Sequence, residues 1–356
     1  MKHICPRCKR ISADSNLWCQ EVYCPAEHAV EIMDNGEWFG NIEIIELLVV
    51  TGSSAIYRAR RSGAPVILKI AHPGCEERLR REALTFLEMS QSMAHPVLPR
   101  LLAAHQQGQV TEYPFGYIVS GSQPRLYEVF DHADGDILAN YLLKVPQPWF
   151  QYVGWMAISL ADVIALLHRF QKLHLGLNPS VILVRFDKQD VPRLVLLDLG
   201  FADVPANIQK NWSPLFCPPS YTAPEVINMD GKIGPASDVY GLGMVLYEML
   251  AGHPAFPQGQ LKENEIYAAV RQGAFQPTKR SDLKNIPELA EKSINRNYAQ
   301  RPADILQFAA QLQANFPLMP REKKGVKINW RAIGIVIGAA LAISLILLFA
   351  LVTLPR

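Results

Sequence analysis

Four cysteines fall within the first 24 residues. Cys5, Cys8, Cys19 and Cys24 follow the spacing C-x2-C-x10-C-x4-C. Two close pairs joined by a short loop are what a tetrahedral thiolate site for Zn2+ requires, each pair forming one knuckle. Lys2, Arg7, Lys9 and Arg10 stand nearby and favour the thiolate form. The competing chemistry is a pair of disulfides, which needs an oxidising compartment. The N-terminus has no apolar leader segment, and that weighs toward zinc. Cys75 and Cys217 stand alone and are expected to be ordinary buried or half-buried thiols.

The elements around this cluster are set by composition. The chain has 356 residues, 49% of them hydrophobic, with 35 Lys plus Arg against 33 Asp plus Glu. That hydrophobicity excludes a disordered chain, and the near balance of charge argues against a dedicated nucleic-acid binder. Mean hydropathy is slightly positive, +0.05, and much of the excess sits in residues 332–355, which carry no charge. Residues 333–354 alone make about 33 Å of helix, enough to cross a hydrocarbon core. Arg321, Lys323, Lys324, Lys327 and Arg331 precede the stretch and Trp330 stands at its edge. These flanks predict a single-pass, C-terminally anchored membrane protein with its N-terminal domains in the cytoplasm and no external domain. Gly334 and Gly338, continued by Ala342, form a small-residue stripe through which two such helices could pair.

Between the cysteines and the span, the order of elements is strand-rich, then helical. Residues 42–50, 55–60 and 65–70 are β-branched runs broken by Gly and Ser. Residues 76–89 carry a helical apolar period, and 152–169 and 238–251 are the strongest helical segments of the later half.

At this point residues 40–316 resemble the protein-kinase superfamily. Val66-Ile67-Leu68-Lys69 looks like the V-A-I-K strand, and Arg81-Glu82 like the helix that follows it. Asp198-Leu199-Gly200 matches D-F-G, and Ala223-Pro224-Glu225 matches A-P-E. Residues 237–243 are similar to the start of the buried central helix, and Arg301-Pro302 to the late pair that braces the helical lobe. The resemblance implies an α+β, bilobal fold with a small β-rich N-lobe and a helical C-lobe. It implies that Lys69, Glu82, Asp198 and Gly52 line a nucleotide site, with Asp198 also a Mg2+ ligand for ATP. His174, Asp238, Glu225 and Arg301 take supporting roles in such a fold. Residues 1–36 are similar to a small zinc ribbon, and 317–331 form a basic juxtamembrane linker.

The resemblance fails at the catalytic loop. Where the family reads H-R-D-L-x-x-x-N, this chain has His174-Leu175-Gly176-Leu177-Asn178-Pro179-Ser180-Val181. The proton-accepting Asp is Gly176, the following Lys is Asn178, and the metal-holding Asn is Val181, which cannot ligate a hard cation. The family's loop Arg is Leu175, and the G-T pair before A-P-E is Cys217-Pro218. Val49, Thr51 and Ser54 fall at the three positions of the Gly-rich loop. Asp187 and Asp190 are expected to be solvated turn carboxylates rather than replacement bases. The expectation is a membrane-tethered pseudokinase, a regulatory or scaffold module with residual ATP binding. The alternatives are an active serine/threonine kinase with a non-standard loop and a nucleotide-independent assembly protein.

Overall fold

A computed structural model of the protein describes residues 2–7, 9–12, 24, 29–120, 123–211, 213, 216–230, 233–256, 262–278, 280, 282–283 and 285–322. The predicted membrane span, its Gly334, Gly338 and Ala342, and Cys8 and Cys19 lie outside them. Residues 1–319 form one unit and 320–356 a second.

The chain starts with three short strands, β1 (Lys2–Ile4), β2 (Ile11–Ser12) and β3 (Val30–Ile32), paired in the order β2-β1-β3. Then come β4 (Trp38–Phe39), β5 (Ile42–Val50), β6 (Ser54–Arg61) and β7 (Ala64–Ala71). The tight β6–β7 turn uses Ser62 and Gly63, both at positive φ (51° and 82°), the geometry that matches strand twist in a two-residue hairpin. After α1 (Glu76–Ser92), β8 (Leu101–Leu102), β9 (Gly116–Ser120) and β10 (Gln123–Asp131) complete an antiparallel sheet ordered β4-β5-β6-β7-β10-β8, with β9 on β10. Ile4 and Ile32 share one buried cluster with Phe39, Ile42, Ile44 and Tyr57, so the N-terminal strands pack into the core of this sheet.

Helix α1 opens with Glu76 and Glu77, acids where the helix dipole favours them. Its buried face carries Leu79, Ala83, Phe86 and Met89 at helical spacing, and also Arg78 and Glu82. Two charges on the apolar face of a helix need partners inside the protein, and that marks the site.

The helical half begins with β11 (Asp136–Ile137), α2 (Leu138–Lys144) and α3 (Phe150–Arg169). β12 (Ile182–Phe186) and β13 (Pro192–Leu196) pair with β11 as a small three-stranded sheet. Helices α4 (Pro205–Asn211), α5 (Pro224–Asn228), α6 (Pro235–Ala251), α7 (Glu263–Gln272), α8 (Ile286–Ser293) and α9 (Ile305–Gln313) follow. Helix α6 starts on Pro235 and stops at Gly252, which is left-handed at φ 81°. Val239 and residues 242–247 of α6 are at most 1% exposed where the structure gives their burial, so α6 is the axle of this lobe. Among the described residues, α3 is the one helix long and apolar enough to cross a membrane. It packs against α6, α9 and β13, with two thirds of its most apolar window buried, as a core helix would be. The bilobal α+β expectation holds, and the predicted strands and helices agree to within a few residues at their ends.

Candidate nucleotide cleft

Lys69 sits on β7, a central strand, and is completely buried. An ammonium has three N–H donors. All three find carboxylate oxygens: Glu82 Oε1 at 2.7 Å, Glu82 Oε2 at 2.6 Å and Asp198 Oδ2 at 2.8 Å. Glu82 is carried there by α1, and Asp198 by the loop after β13. Leu199 N also donates to Glu82 Oε1 at 2.7 Å, and Gly200 N to Asp198 Oδ1 at 2.7 Å. Burial alone would lower Lys69, but Asp198 and Glu82 override it and hold the ammonium above its usual range. Burial would likewise raise Asp198, yet Lys69 and Arg78 draw it down to about 2. Glu82 is pushed by burial up to about 7, against the pull of Lys69. Glu128, opposite Lys69 on β10, is also fully buried, and burial raises its carboxyl well above the ordinary range. The predicted Lys69–Glu82–Asp198 set is therefore assembled as one network.

The turn between β5 and β6 replaces a Gly-rich loop. Thr51 Oγ1 accepts from Ser53 N at 3.2 Å and Ser54 N at 3.0 Å, and Thr51 N donates to Ser54 O at 2.8 Å. The amides that a phosphate would need are thus engaged by a threonine side chain. His72, the residue after β7, pins the turn: its amide donates to Ser53 O at 2.8 Å, and its Nε2 lies 3.1 Å from Thr51 O.

Burial lowers the His72 imidazole to about 4 from an ordinary 6.5. Between those pH values the unfolded chain binds a proton that the folded chain does not, so stability falls as pH falls through that window. At full extent the loss is about 3 kcal/mol, and His174, also lowered by burial, acts in the same direction. Urea unfolding at pH 7.5 and 4.5 should show this drop. His72→Gln, which retains an N–H donor for Thr51 O, should shrink it; an equal drop in the variant would assign it to other groups.

The catalytic-loop positions come together below this turn. Asp238, on α6, accepts from His174 N at 2.9 Å, Leu175 N at 2.6 Å and His168 Nε2 at 2.8 Å. It thereby holds Leu175 in a left-handed conformation, φ 55°, that a leucine adopts only at a cost. His174 Nδ1 accepts from Gly176 N at 3.1 Å and its Nε2 faces Asp198 O at 2.9 Å, which fixes the neutral Nε2–H tautomer. Gly200 has φ 65°, and a β-carbon there would stand 2.0 Å from His174 O, so only glycine fits. Asn178 satisfies itself locally, donating to Gly176 O at 2.7 Å and accepting from Ser180 N at 2.9 Å.

Gly52, Gly176, Asn178, Val181 and Asp198 line one cavity of about 230 Å3. Among its described lining residues Asp198 is the one carboxylate. Asp187 and Asp190 are elsewhere. Asp187 is not solvated as expected, because Arg193 closes on it at 2.7 Å and its side chain is 4% exposed; Asp190 accepts from Tyr152. Cys217 is a buried thiol as expected, donating to Leu175 O at 3.1 Å and pushed by burial up to about 12. Glu225 and Arg301, the predicted braces, form a bidentate pair at 2.7 and 2.9 Å.

Three cationic contributors to this cavity were not anticipated. Arg78 is 7% exposed and lies between the Phe201 and Phe216 rings, 4.3 and 4.4 Å from their centroids. Its position one turn before Glu82 on the same helix face was the available signal. The other two, Arg7 and Lys9, come from the N-terminal cysteine segment, and nothing in local sequence links them to residues 40 or 200 positions away.

Cys5 Sγ stands 3.5 Å from Cys24 Sγ, and Arg7 N donates to Cys5 Sγ at 3.4 Å. Two thiolates on one tetrahedral zinc, each at about 2.3 Å, stand about 3.8 Å apart, whereas a disulfide needs about 2.05 Å. Among the described residues no three His, Cys, Asp or Glu side chains converge as a metal site; Cys8 and Cys19 lie outside them.

Residues 51–315 match the protein kinase domain family. The cAMP-dependent protein kinase catalytic subunit 3 of Drosophila melanogaster is 32% identical over 131 residues, covering 37% of this chain and 21% of its own. The serine/threonine-protein kinase PknL of Mycobacterium tuberculosis is 28% identical over 274 residues, 74% of this chain and 62% of its own. The serine/threonine-protein kinase AfsK of Streptomyces coelicolor is 25% identical over 312 residues, 84% and 35%. The chain thus spans only 21% to 62% of the length of these relatives. With the match covering most of the chain and both lobes present around Lys69, Glu82 and Asp198, the chain belongs to the protein kinase domain family.

Proposed function

We propose that this protein is a pseudokinase, a membrane-tethered regulatory module that retains weak nucleotide binding and transfers no phosphoryl group. The observation that carries this reading is the lining of the cleft. Gly176 has no side chain to take a proton from an acceptor hydroxyl, and Val181 has none to hold a metal. Asp198 is committed to Lys69 and is the one carboxylate among the described lining residues that could ligate Mg2+, which would supply charge neutralisation on the phosphates. The engaged amides of Ser53 and Ser54 support weak rather than tight phosphate binding.

The test is a thermal shift of the full chain with ATP or ADP, with and without Mg2+. A shift of a few degrees is expected, lost in Lys69→Met, whose neutral side chain cannot meet phosphate. No shift in any condition would leave the third reading, an assembly protein without nucleotide. A second reading, an active serine/threonine kinase, is favoured by the intact Lys69–Glu82–Asp198 network, which an abandoned site need not keep. It requires a carboxylate that reaches the acceptor hydroxyl from outside the described lining.

We also assign Zn2+ to Cys5, Cys8, Cys19 and Cys24, and the membrane anchor to residues 332–355. The 3.5 Å spacing of Cys5 and Cys24 supports the first, and the charge-free run behind a basic collar supports the second. One preparation tests both: the chain should stay with membranes through an alkaline carbonate wash and yield about one zinc per chain. Release by carbonate, or metal-free protein that keeps its melting temperature, would contradict the respective assignment.

A further inference from the structure

The cysteine segment does not stand apart from the cleft. Cys5 N donates to Arg10 O at 2.9 Å and Lys9 N to Cys5 O at 3.0 Å, so Cys5 is closed onto Lys9 and Arg10 in a knuckle, with Lys9 at φ 61°. Pro6, Arg7 and Lys9 of that knuckle line the same cavity as Gly52, Gly176 and Asp198. The two cations reach opposite walls. Lys9 Nζ donates to Val50 O, at the entrance to the turn that stands where the Gly-rich loop would be. Arg7 donates to Cys217 O at 2.9 Å and to Glu263 Oε1, at the start of α7, at 3.1 Å. The Arg7 and Glu263 side chains are 9% and 15% exposed, shielded enough for the ion pair to hold position, unlike a solvated surface pair.

We propose that the knuckle is an intramolecular plug that occupies the cleft mouth and ties the β-rich lobe to the helical lobe. It rests on the reading of the cleft as a nucleotide site, and it adds the regulation of that site. The occupant is a named segment of the chain itself, held by one contact to the upper wall and two to the lower. Pro218, Pro219 and Tyr221 line the cavity that the seated knuckle shares. Any nucleotide must then enter or leave past Arg7 and Lys9. A partner that draws off the cysteine module opens the cleft, so partner binding and nucleotide exchange become linked.

The test uses the full chain in detergent with Arg7→Glu, and separately Glu263→Arg, which breaks the same ion pair from the helical lobe without touching the knuckle. The charge-swapped double variant Arg7→Glu/Glu263→Arg remakes the pair. Hydrogen exchange of residues 49–54 and 216–221 should quicken about tenfold in each single variant, the size of one shielded charge-assisted contact, and return toward the natural rate in the swap. Association and release of a fluorescent ADP should quicken in the same two variants. Faster exchange in both segments with no ADP binding in any protein keeps the plug and removes the nucleotide reading. Unchanged exchange in either segment overturns the plug whether or not ADP binds. A single variant that melts early is judged on the swap, where failure to recover exchange rates also overturns it.

Discussion

Replacing Gly176 by Asp and Val181 by Asn together is expected to give this chain the phosphoryl-transfer activity that the proposed reading denies the natural chain. Space is available. A β-carbon built on Gly176 would meet Gly200 Cα at 3.7 Å and His174 at 3.9 Å, ordinary contact distances, and Gly176 is not at positive φ. The backbone that aims position 176 is intact, because Asp238 still holds the amides of His174 and Leu175. Asn at 181 would add an oxygen ligand beside Asp198, the one carboxylate among the described lining residues of the cavity. A general base contributes about 10²–10⁴ in rate, so the double variant should exceed the natural chain by that order in radiolabelled phosphate transfer to a generic acceptor. Each single variant should gain less than its share, since base and metal act as a unit. Cys217, Pro218 and Asn178 remain unrestored and cap the gain. A double variant that folds, binds ATP with Mg2+ and still transfers nothing would contradict the weight the proposed reading gives to positions 176 and 181.

Arg301→Met is expected to have the largest effect on stability. Arg301 and Glu225 are 4% and 3% exposed and share two hydrogen bonds, at 2.7 and 2.9 Å. Ser237 Oγ donates to Glu225 Oε1 at 2.7 Å, and Arg301 also donates to Ala236 O at 3.0 Å and Asn295 O at 2.7 Å. Removing one partner leaves a buried charge with no counter-ion, a loss of about 3–5 kcal/mol. Against a net stability of about 5–15 kcal/mol, that is a large fraction. The measurement is the urea midpoint of Arg301→Met against the double variant Arg301→Met/Glu225→Leu, which removes both charges and should lose less. A single variant within about 1 kcal/mol of the natural chain would show the pair to be dispensable.

The fold was legible where motif residues are also structural residues. Ala223-Pro224-Glu225 and Arg301-Pro302 could be read because the ion pair they make closes the helical lobe. The strand carrying Lys69 could be read because its neighbours are β-branched. Gly200 declares itself because a β-carbon there would collide with His174 O. Of the site, the Lys69–Glu82 pair was legible, whereas the closure of Asp198 on the same ammonium at 2.8 Å was not. What could not be read is what depends on long-range packing. Arg7 and Lys9 reach the cavity because Ile4 and Ile32 bury themselves in the sheet core, and no local pattern encodes that docking. Glu128 faces Lys69 because the register of β10 on β7 puts it there, and a strand buried on both faces gives no alternation to reveal it. Asp187 misled because turn carboxylates are usually solvated, while Arg193 six residues on captures this one.

The most direct measurement is phosphate transfer by the natural 356-residue chain, purified in detergent, with radiolabelled ATP and Mg2+, beside Asp198→Ala. The proposed reading predicts no incorporation above the Asp198→Ala background, while ATP binding that depends on Lys69 persists. Incorporation that Asp198→Ala abolishes would contradict it and make this protein a working kinase.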